Sequence, residues 1–194
     1  MRDIEIVTQT KSDLTTLSDV KDYLGITTSD EDDQLEVLIT AVSDFIKNET
    51  GREIVETEYK EKIDGNRNEA IVLTQYPVIS VEKLTVDDEE ITDYYLYKEN
   101  AVIKREAIFD DWDEHRSYYF PEGKQNIVVE YTAGYEDVPL DIQKAVWDII
   151  QSTRKSKKYA GLSKYAIGDE SMTFSRGLVP SEAIDTIMEY KSVI

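Results

Sequence analysis

The 194-residue sequence has no cysteine, a single histidine and only four prolines. Without thiols there can be no disulfides, thiolate metal sites or cysteine nucleophiles. Any histidine triad or histidine metal cluster would have to be built around His115 alone. No apolar run approaches the roughly 18 residues of a membrane-spanning helix. The opening stretch, MRDIEIVTQTKSD, has neither an apolar core segment nor a small-residue cleavage site, so no signal peptide is expected. The eight glycines never form G-x-x-x-x-G-K, G-x-G-x-x-G or G-x-S-x-G, which leaves no phosphate loop and no nucleophile elbow. Basic residues are scarce as well. Lys and Arg number 22 against 41 Asp and Glu, a net charge of -19. The imbalance is local: residues 1–135 hold 32 acids and 14 bases, whereas 136–194 hold 9 and 8. Duplex binding draws on lysine and arginine to release counterions, so an acidic body of this kind is not expected to bind DNA.

The remaining pattern is that of an α+β protein. LSDVKDYLGI predicts a helix over about 17–24, with Ser18 as its cap, Leu17, Val20 and Leu24 on one face, and Gly25 in the left-handed position at its end. Leu35, Leu38, Ile39, Val42, Phe45 and Ile46 fall at helical spacing and predict a helix over about 31–49, closed by Gly51. Ser29 followed by Asp32 resembles a capping box with a short acid. Strand patterns then dominate the region from about 53 to 135. Val55, Thr57, Tyr59, Glu61 and Ile63 alternate before the turn Asp64-Gly65-Asn66, and strands are predicted at 71–73, 78–86, 93–97 and 101–104. Residues 105–124 suggest an excursion with a short strand near 118–120.

From Val128 the sequence VVEYTAGYEDVPLDIQKAVWDII switches period from two to 3.6. Val129, Tyr131 and Ala133 share one side of a strand, and Ile142, Ala145, Val146, Ile149 and Ile150 share one stripe of a helix over 139–158. Asp137 can cap that helix, and Pro139 suits its first turn. Two helices before the β region and one after it, each with an apolar stripe, imply a small helical bundle with an antiparallel β insertion. On this reading 1–160 form one domain, made of helical stretches 13–52 and 137–160 with the insertion 53–136. Residues 161–194 form a C-terminal arm with a short terminal helix at its end.

Candidate chemistry is sparse. Asp110, Asp111, Asp113, Glu114 and His115 lie close in sequence, but they lack the alternate spacing and central glycine of a calcium loop, so a solvated acidic turn is the simpler reading. Acids at 30–36 fit a helix N-terminus without any metal. No catalytic residues, metal or cofactor are expected. The only basic cluster is Arg154, Lys155, Lys157 and Lys158. Favourable charge at a helix C-terminus accounts for it, and so does a docking patch for an acidic partner. Beyond it, Tyr159, Tyr165, Met172, Phe174, Leu178 and Val179 follow without a period, a pattern that fits either packing back on the protomer or an arm that orders on a partner.

The stretch LSDVKDYLGITTSDEDDQLEVLITAVSDFIKNETGREI resembles the N-terminal half of the head–tail connector proteins of long-tailed bacteriophages, also called adaptor or head-completion proteins. YPVISV at 76–81 and VVEYTAGYEDVPLDIQKAV at 128–146 are similar to later parts of the same pattern. The excursion at 105–124 and the tail beyond 160 are longer than in short family members. The resemblance implies a virion structural protein, made in the host cytoplasm. It would form a homo-oligomeric ring, usually a dodecamer, below the portal protein. Such a ring would continue the DNA channel without binding DNA specifically and would present a platform to a stopper or tail-completion protein, with no membrane involved. The family brings no catalytic residues. The basic run and the apolar residues after it are then the candidate portal contacts. The alternatives are another neck or tail-completion protein, or an acidic oligomeric enzyme or regulator.

Overall fold

A computed structural model describes residues 2–9, 11–105, 119–156 and 179–192. The chain divides into two compact units, one of Met1–Thr10 with Glu56–Glu136 and one of Lys11–Val55 with Asp137–Ile194. The fold is α+β, as the periodicities imply.

The second of these units is helical. It holds α1 (Leu17–Leu24), α2 (Asp32–Thr50), α3 (Leu140–Lys155) and α4 (Ser181–Glu189). The predicted stripes are the buried ones: Leu35, Leu38, Ile39, Val42 and Ile46 of α2, and Ile142, Ala145, Val146, Ile149 and Ile150 of α3. Helices α2 and α3 pack against each other, and α4 lies against both. Each fully buried aliphatic side chain contributes about 1.5–3 kcal/mol relative to exposure, so these stripes hold the bundle together.

The caps differ from expectation in three places. Thr16, not Ser18, caps α1. Its Oγ1 accepts from the Asp19 amide at 3.2 Å and donates to Asp19 Oδ2 at 2.6 Å. The reciprocal pairing of a cap hydroxyl with an acid three residues on therefore stands at Thr16–Asp19 rather than at Ser29–Asp32. At α2 the N-cap position is Glu31, whose side chain caps nothing, and the Asp32 amide bonds the Ser29 carbonyl instead. Pro139, not Asp137, is the N-cap residue of α3. The C-terminal glycines behave as expected, Gly25 at φ 68° and Gly51 at φ 70°, where a side chain would be strained.

The sheet unit contains β1 (Arg2–Gln9), β2 (Thr57–Gly65), β3 (Ala70–Val72), β4 (Val78–Val86), β5 (Glu89–Glu90), β6 (Tyr94–Tyr97), β7 (Val102–Arg105) and β8 (Gly123–Ala133). These make an antiparallel sheet in the order β1-β2-β8-β4-β5 and a smaller one in the order β3-β7-β6. One apolar cluster draws on both sheets, including Tyr59, Ile63, Ile71, Leu73, Leu84, Ile103, Ile127, Val129 and Tyr131. The last position of β2, Gly65, admits no side chain, because a Cβ there would meet the Pro121 carbonyl oxygen at 1.8 Å.

Two strands were not anticipated. β1 lies outside the predicted β region, and β5 is formed by a tight turn in which Asp87 and Asp88 take φ 50° and 66°. Conversely, the expected strand near 118–120 is not formed at its described positions. Phe120 is fully buried in a loop, where its amide bonds the Asn68 carbonyl and its carbonyl accepts from Arg67.

A candidate docking surface on the helical unit

The basic end of α3 is the place to which the sequence points, and the structure divides it. Arg154 Nη2 pairs with Glu31 Oε2, the residue that opens α2. The pair joins the C-terminus of one helix to the N-terminus of another, with each charge facing the favourable end of a helix dipole. Lys155 is exposed and donates to Gln151 Oε1 one turn back, at 2.9 Å. Leu24, Glu31, Gln151, Arg154 and Lys155 line a shallow cleft of about 410 Å³ between the ends of the three helices. Beside it, Lys21 bonds Asp32 at 2.5 Å. Arg154 thus serves the bundle, while Lys155 remains exposed on the surface of α3.

The tail residues divide in the same way. Lys157, Lys158, Tyr159, Tyr165, Met172, Phe174 and Leu178 lie outside the described residues, as do Asp110, Asp111, Asp113, Glu114 and His115. Val179 is only 8% exposed, and it leads into α4, whose Ala183 and Ile187 are buried. Tyr190 then donates to Asp141 at the start of α3, at 2.9 Å to each oxygen, and the Ser192 amide bonds the Thr50 carbonyl at 2.7 Å. The terminal helix is therefore packed into the protomer, and Val179 is a core residue rather than a presented one.

A second surface cluster was not anticipated. Tyr23 of α1 stacks on Trp147 of α3 with ring centroids 5.2 Å apart, and its hydroxyl donates to Asp148 at 2.6 Å. Lys144 bonds the other Asp148 oxygen at 2.6 Å, and Trp147 Nε1 donates to Thr15 at 2.8 Å. Accepting from both neighbours, Asp148 raises the pKa of Tyr23 and of Lys144. The sequence signal was present, since Lys144 and Asp148 are four residues apart on one face. The tyrosine, 125 positions away, was not readable locally.

In the sheet unit the most buried charge is Glu61, whose side chain is fully enclosed. It accepts from the Tyr131 hydroxyl at 2.8 Å, the Thr74 amide at 3.0 Å and the Thr74 hydroxyl at 2.7 Å, with Arg2 Nε at 3.7 Å. Burial, followed by the carboxylate itself, pushes the Tyr131 phenol far above its ordinary value, so it remains a donor. Both oxygens of that carboxylate accept hydrogen bonds from the protein, and the arrangement is structural. Among the described residues no group of three or more His, Asp or Glu is placed to hold a metal ion.

The described polar side chains of the helical unit cap, pair and pack, and Lys155 stands exposed at the end of α3. Residues 13–193 match the family described as head completion protein, and the chain belongs to that family. No curated protein matches the sequence. Among solved structures, the chain is similar in fold to one from the neck of an empty gene transfer agent particle computed with C6 symmetry. That match has a TM-score of 0.62 and 16% identity, and covers 98% of this chain and 96% of that one. A chain from the neck of the native particle, computed with C12 symmetry, matches over the same shares with a TM-score of 0.57 and 14% identity.

Proposed function

We propose that this protein is a structural component of the neck of a tailed phage or phage-like particle, and that it acts within the virion. Copies assemble in the host cytoplasm into a ring, dodecameric in the finished particle, below the portal protein. The ring extends the DNA channel and offers a platform to the stopper or tail-completion protein. The observation that carries this reading is the head completion family match across residues 13–193. The likeness in fold to neck chains over nearly their whole length supports it.

The charge gives the reading a physical mechanism. A net charge of -19 per copy, repeated around a ring, sets up a field that keeps a sliding duplex from adhering, within a screening length of about 8–10 Å. The same repulsion opposes premature rings, so the isolated chain is expected to be mainly monomeric in moderate salt. Lys155, with Lys157 and Lys158, is assigned to steering toward an acidic portal surface, which changes the rate of encounter more than the final affinity. Tyr159, Tyr165, Met172, Phe174 and Leu178 are assigned to the contact that follows.

Particles lacking the protein test the reading directly. They should package DNA and then leak it or fail to take tails, and added protein should restore them. Replacement of Lys155, Lys157 and Lys158 by glutamate should slow that rescue in a salt-dependent way. Normal tailed particles without the protein would overturn the neck assignment. Micromolar binding of the isolated chain to duplex DNA, with a steep salt slope, would overturn the account of the channel.

A further inference from the structure

The larger sheet has two edges, and they are built differently. At one edge β4 is interrupted by register shifts at Val78/Ser80 and at Val81/Lys83, β5 covers its end, and Lys98 Nζ donates to the Ile79 carbonyl. Shifts, short strands and lysines are the usual means by which an edge is protected from pairing. At the other edge stands β1, eight residues long, with no proline and with β2 as its only strand neighbour among the described residues.

The side chains of β1 alternate in a defined way. Ile4 and Ile6 pair with Glu61 and Tyr59, so they lie on the face that carries the apolar core, yet they are 38% and 46% exposed. Val7, at the shift in register, is 57% exposed. On the opposite face Asp3 pairs with Lys62 and Glu5 with Lys60. Glu5, Glu58, Glu82 and Glu130 surround Lys60 in a dish of about 450 Å³ that Ile6 and Val7 also line. The apolar face thus runs on past its cover, and the polar face beside it has an excess of carboxylates.

We propose that the outer edge of β1 is a docking site for an extended segment of another polypeptide, one that alternates basic and apolar residues. Added as a strand, that segment would bond the outward backbone of β1, place apolar side chains over Ile4 and Ile6, and set lysine or arginine beside Asp3 and Glu5. β2 already meets β1 by this rule, with Lys60 and Lys62 opposite the acids and Tyr59 and Ile63 on the apolar side. Charge disfavours a second β1 as the occupant. Antiparallel self-pairing with Ile4 opposite Ile6 sets Glu5 opposite Glu5, and with Ile4 opposite Ile4 it sets Asp3 opposite Glu5. β1 also precedes the residues 13–193 that match the family, so the proposal does not follow from family membership.

The test is hydrogen exchange on the full chain with capped hexapeptides at millimolar concentration, Lys-Ile-Lys-Ile-Lys-Ile against Glu-Ile-Glu-Ile-Glu-Ile. The lysine peptide should slow exchange of the β1 amides by about threefold or more, and the glutamate peptide should leave them unchanged. Val7→Pro should abolish the protection, because Val7 is skipped by the β1–β2 ladder, so a proline there removes a donor from β1 with least disturbance to its pairing with β2. If that variant disturbs the sheet by circular dichroism, Glu5→Lys decides instead, since it should weaken the response to the lysine peptide and create one to the glutamate peptide. Absence of protection, equal protection by both peptides, or persistence in Val7→Pro would overturn the proposal. Protection of β1 that rises with protein concentration and no peptide would assign the edge to a second copy and overturn it too. The measurement uses the isolated chain, so its outcome is independent of whether the neck assignment survives.

Discussion

In the helical unit several of the polar side chains that join elements stand at helix ends, whereas in the sheet unit the most deeply enclosed one stands inside the core. Thr16 caps α1, Arg154 and Glu31 join the ends of α3 and α2, and Tyr190 ties the end of α4 to the start of α3. Glu61, by contrast, is enclosed and holds β2, β8 and the loop after β3 through Tyr131 and Thr74. The difference follows from backbone bookkeeping. A helix satisfies its own middle and leaves its ends open, while a sheet satisfies its middle only through distant strands. Defects should therefore be graded in the bundle and severe in the sheet.

The largest effect should come from Glu61→Ala. It leaves the Tyr131 hydroxyl without its acceptor in the core, frees both donors of the half-buried Thr74 and removes the anion facing Arg2, at a cost of about 3–5 kcal/mol. Denaturant unfolding followed by tyrosine fluorescence checks this. A loss below about 1 kcal/mol would mean that the core re-forms around a smaller residue, and the contrast between the units would fail. Next comes truncation before Val179. It uncovers the surfaces met by Val179, Ala183 and Ile187 and should destabilise the helical unit by about 3 kcal/mol. An unchanged thermal midpoint would show that α4 contributes nothing to the protomer and would restore the reading of the whole tail as a free arm.

The bundle was readable because its information is local. Leu38, Val42 and Ile46 announce a stripe within one helix, and Gly25 and Gly51 mark its punctuation. The strands β2, β4 and β8 were readable for the same reason, as alternation survives at short range. Their order was not. β8 inserts between β2 and β4 by registers such as Tyr59 with Tyr131 and Leu84 with Val129, which no local pattern encodes. β1 was missed because RDIEIVTQ alternates on an exposed edge, where neither face is covered enough to exclude charge. The docking surface was half legible. Net charge located the basic run, but only a partner 123 positions away, Glu31, distinguishes Arg154 from Lys155.

Smaller still is the cap of α1. Thr16→Ala removes the acceptor of the Asp19 amide and should cost about 1 kcal/mol, whereas Ser18→Ala, one position into the first turn, should cost a few tenths at most. Paired thermal melts of the two variants separate them. A larger loss at Ser18 would return the cap to the residue that sequence pattern alone favours.

The smallest effect belongs to the exposed pair Lys60–Glu130, whose Nζ and Oε1 are 2.7 Å apart. The hydrogen bond, more than the charge, lowers the Glu130 pKa and raises that of Lys60. For Glu130 the folded value lies below the unfolded one, so its contribution is complete above the ordinary carboxylate range and disappears as pH falls through the lowered folded value. For Lys60 the folded value lies above the unfolded one, so its contribution is complete below the ordinary lysine range and disappears as pH rises through the raised value. Between those limits the pair adds a constant and small increment, because both side chains are well solvated and screened by salt. Glu130→Gln should lower the thermal midpoint barely measurably at neutral pH, with the difference from wild type closing in acid and shrinking in high salt. A difference that instead widens in acid would mean that Glu130 is held by groups other than Lys60. The alternating row of Glu5, Lys60, Glu130 and Lys83 across the sheet would then have to be treated as one coupled array rather than as separate pairs.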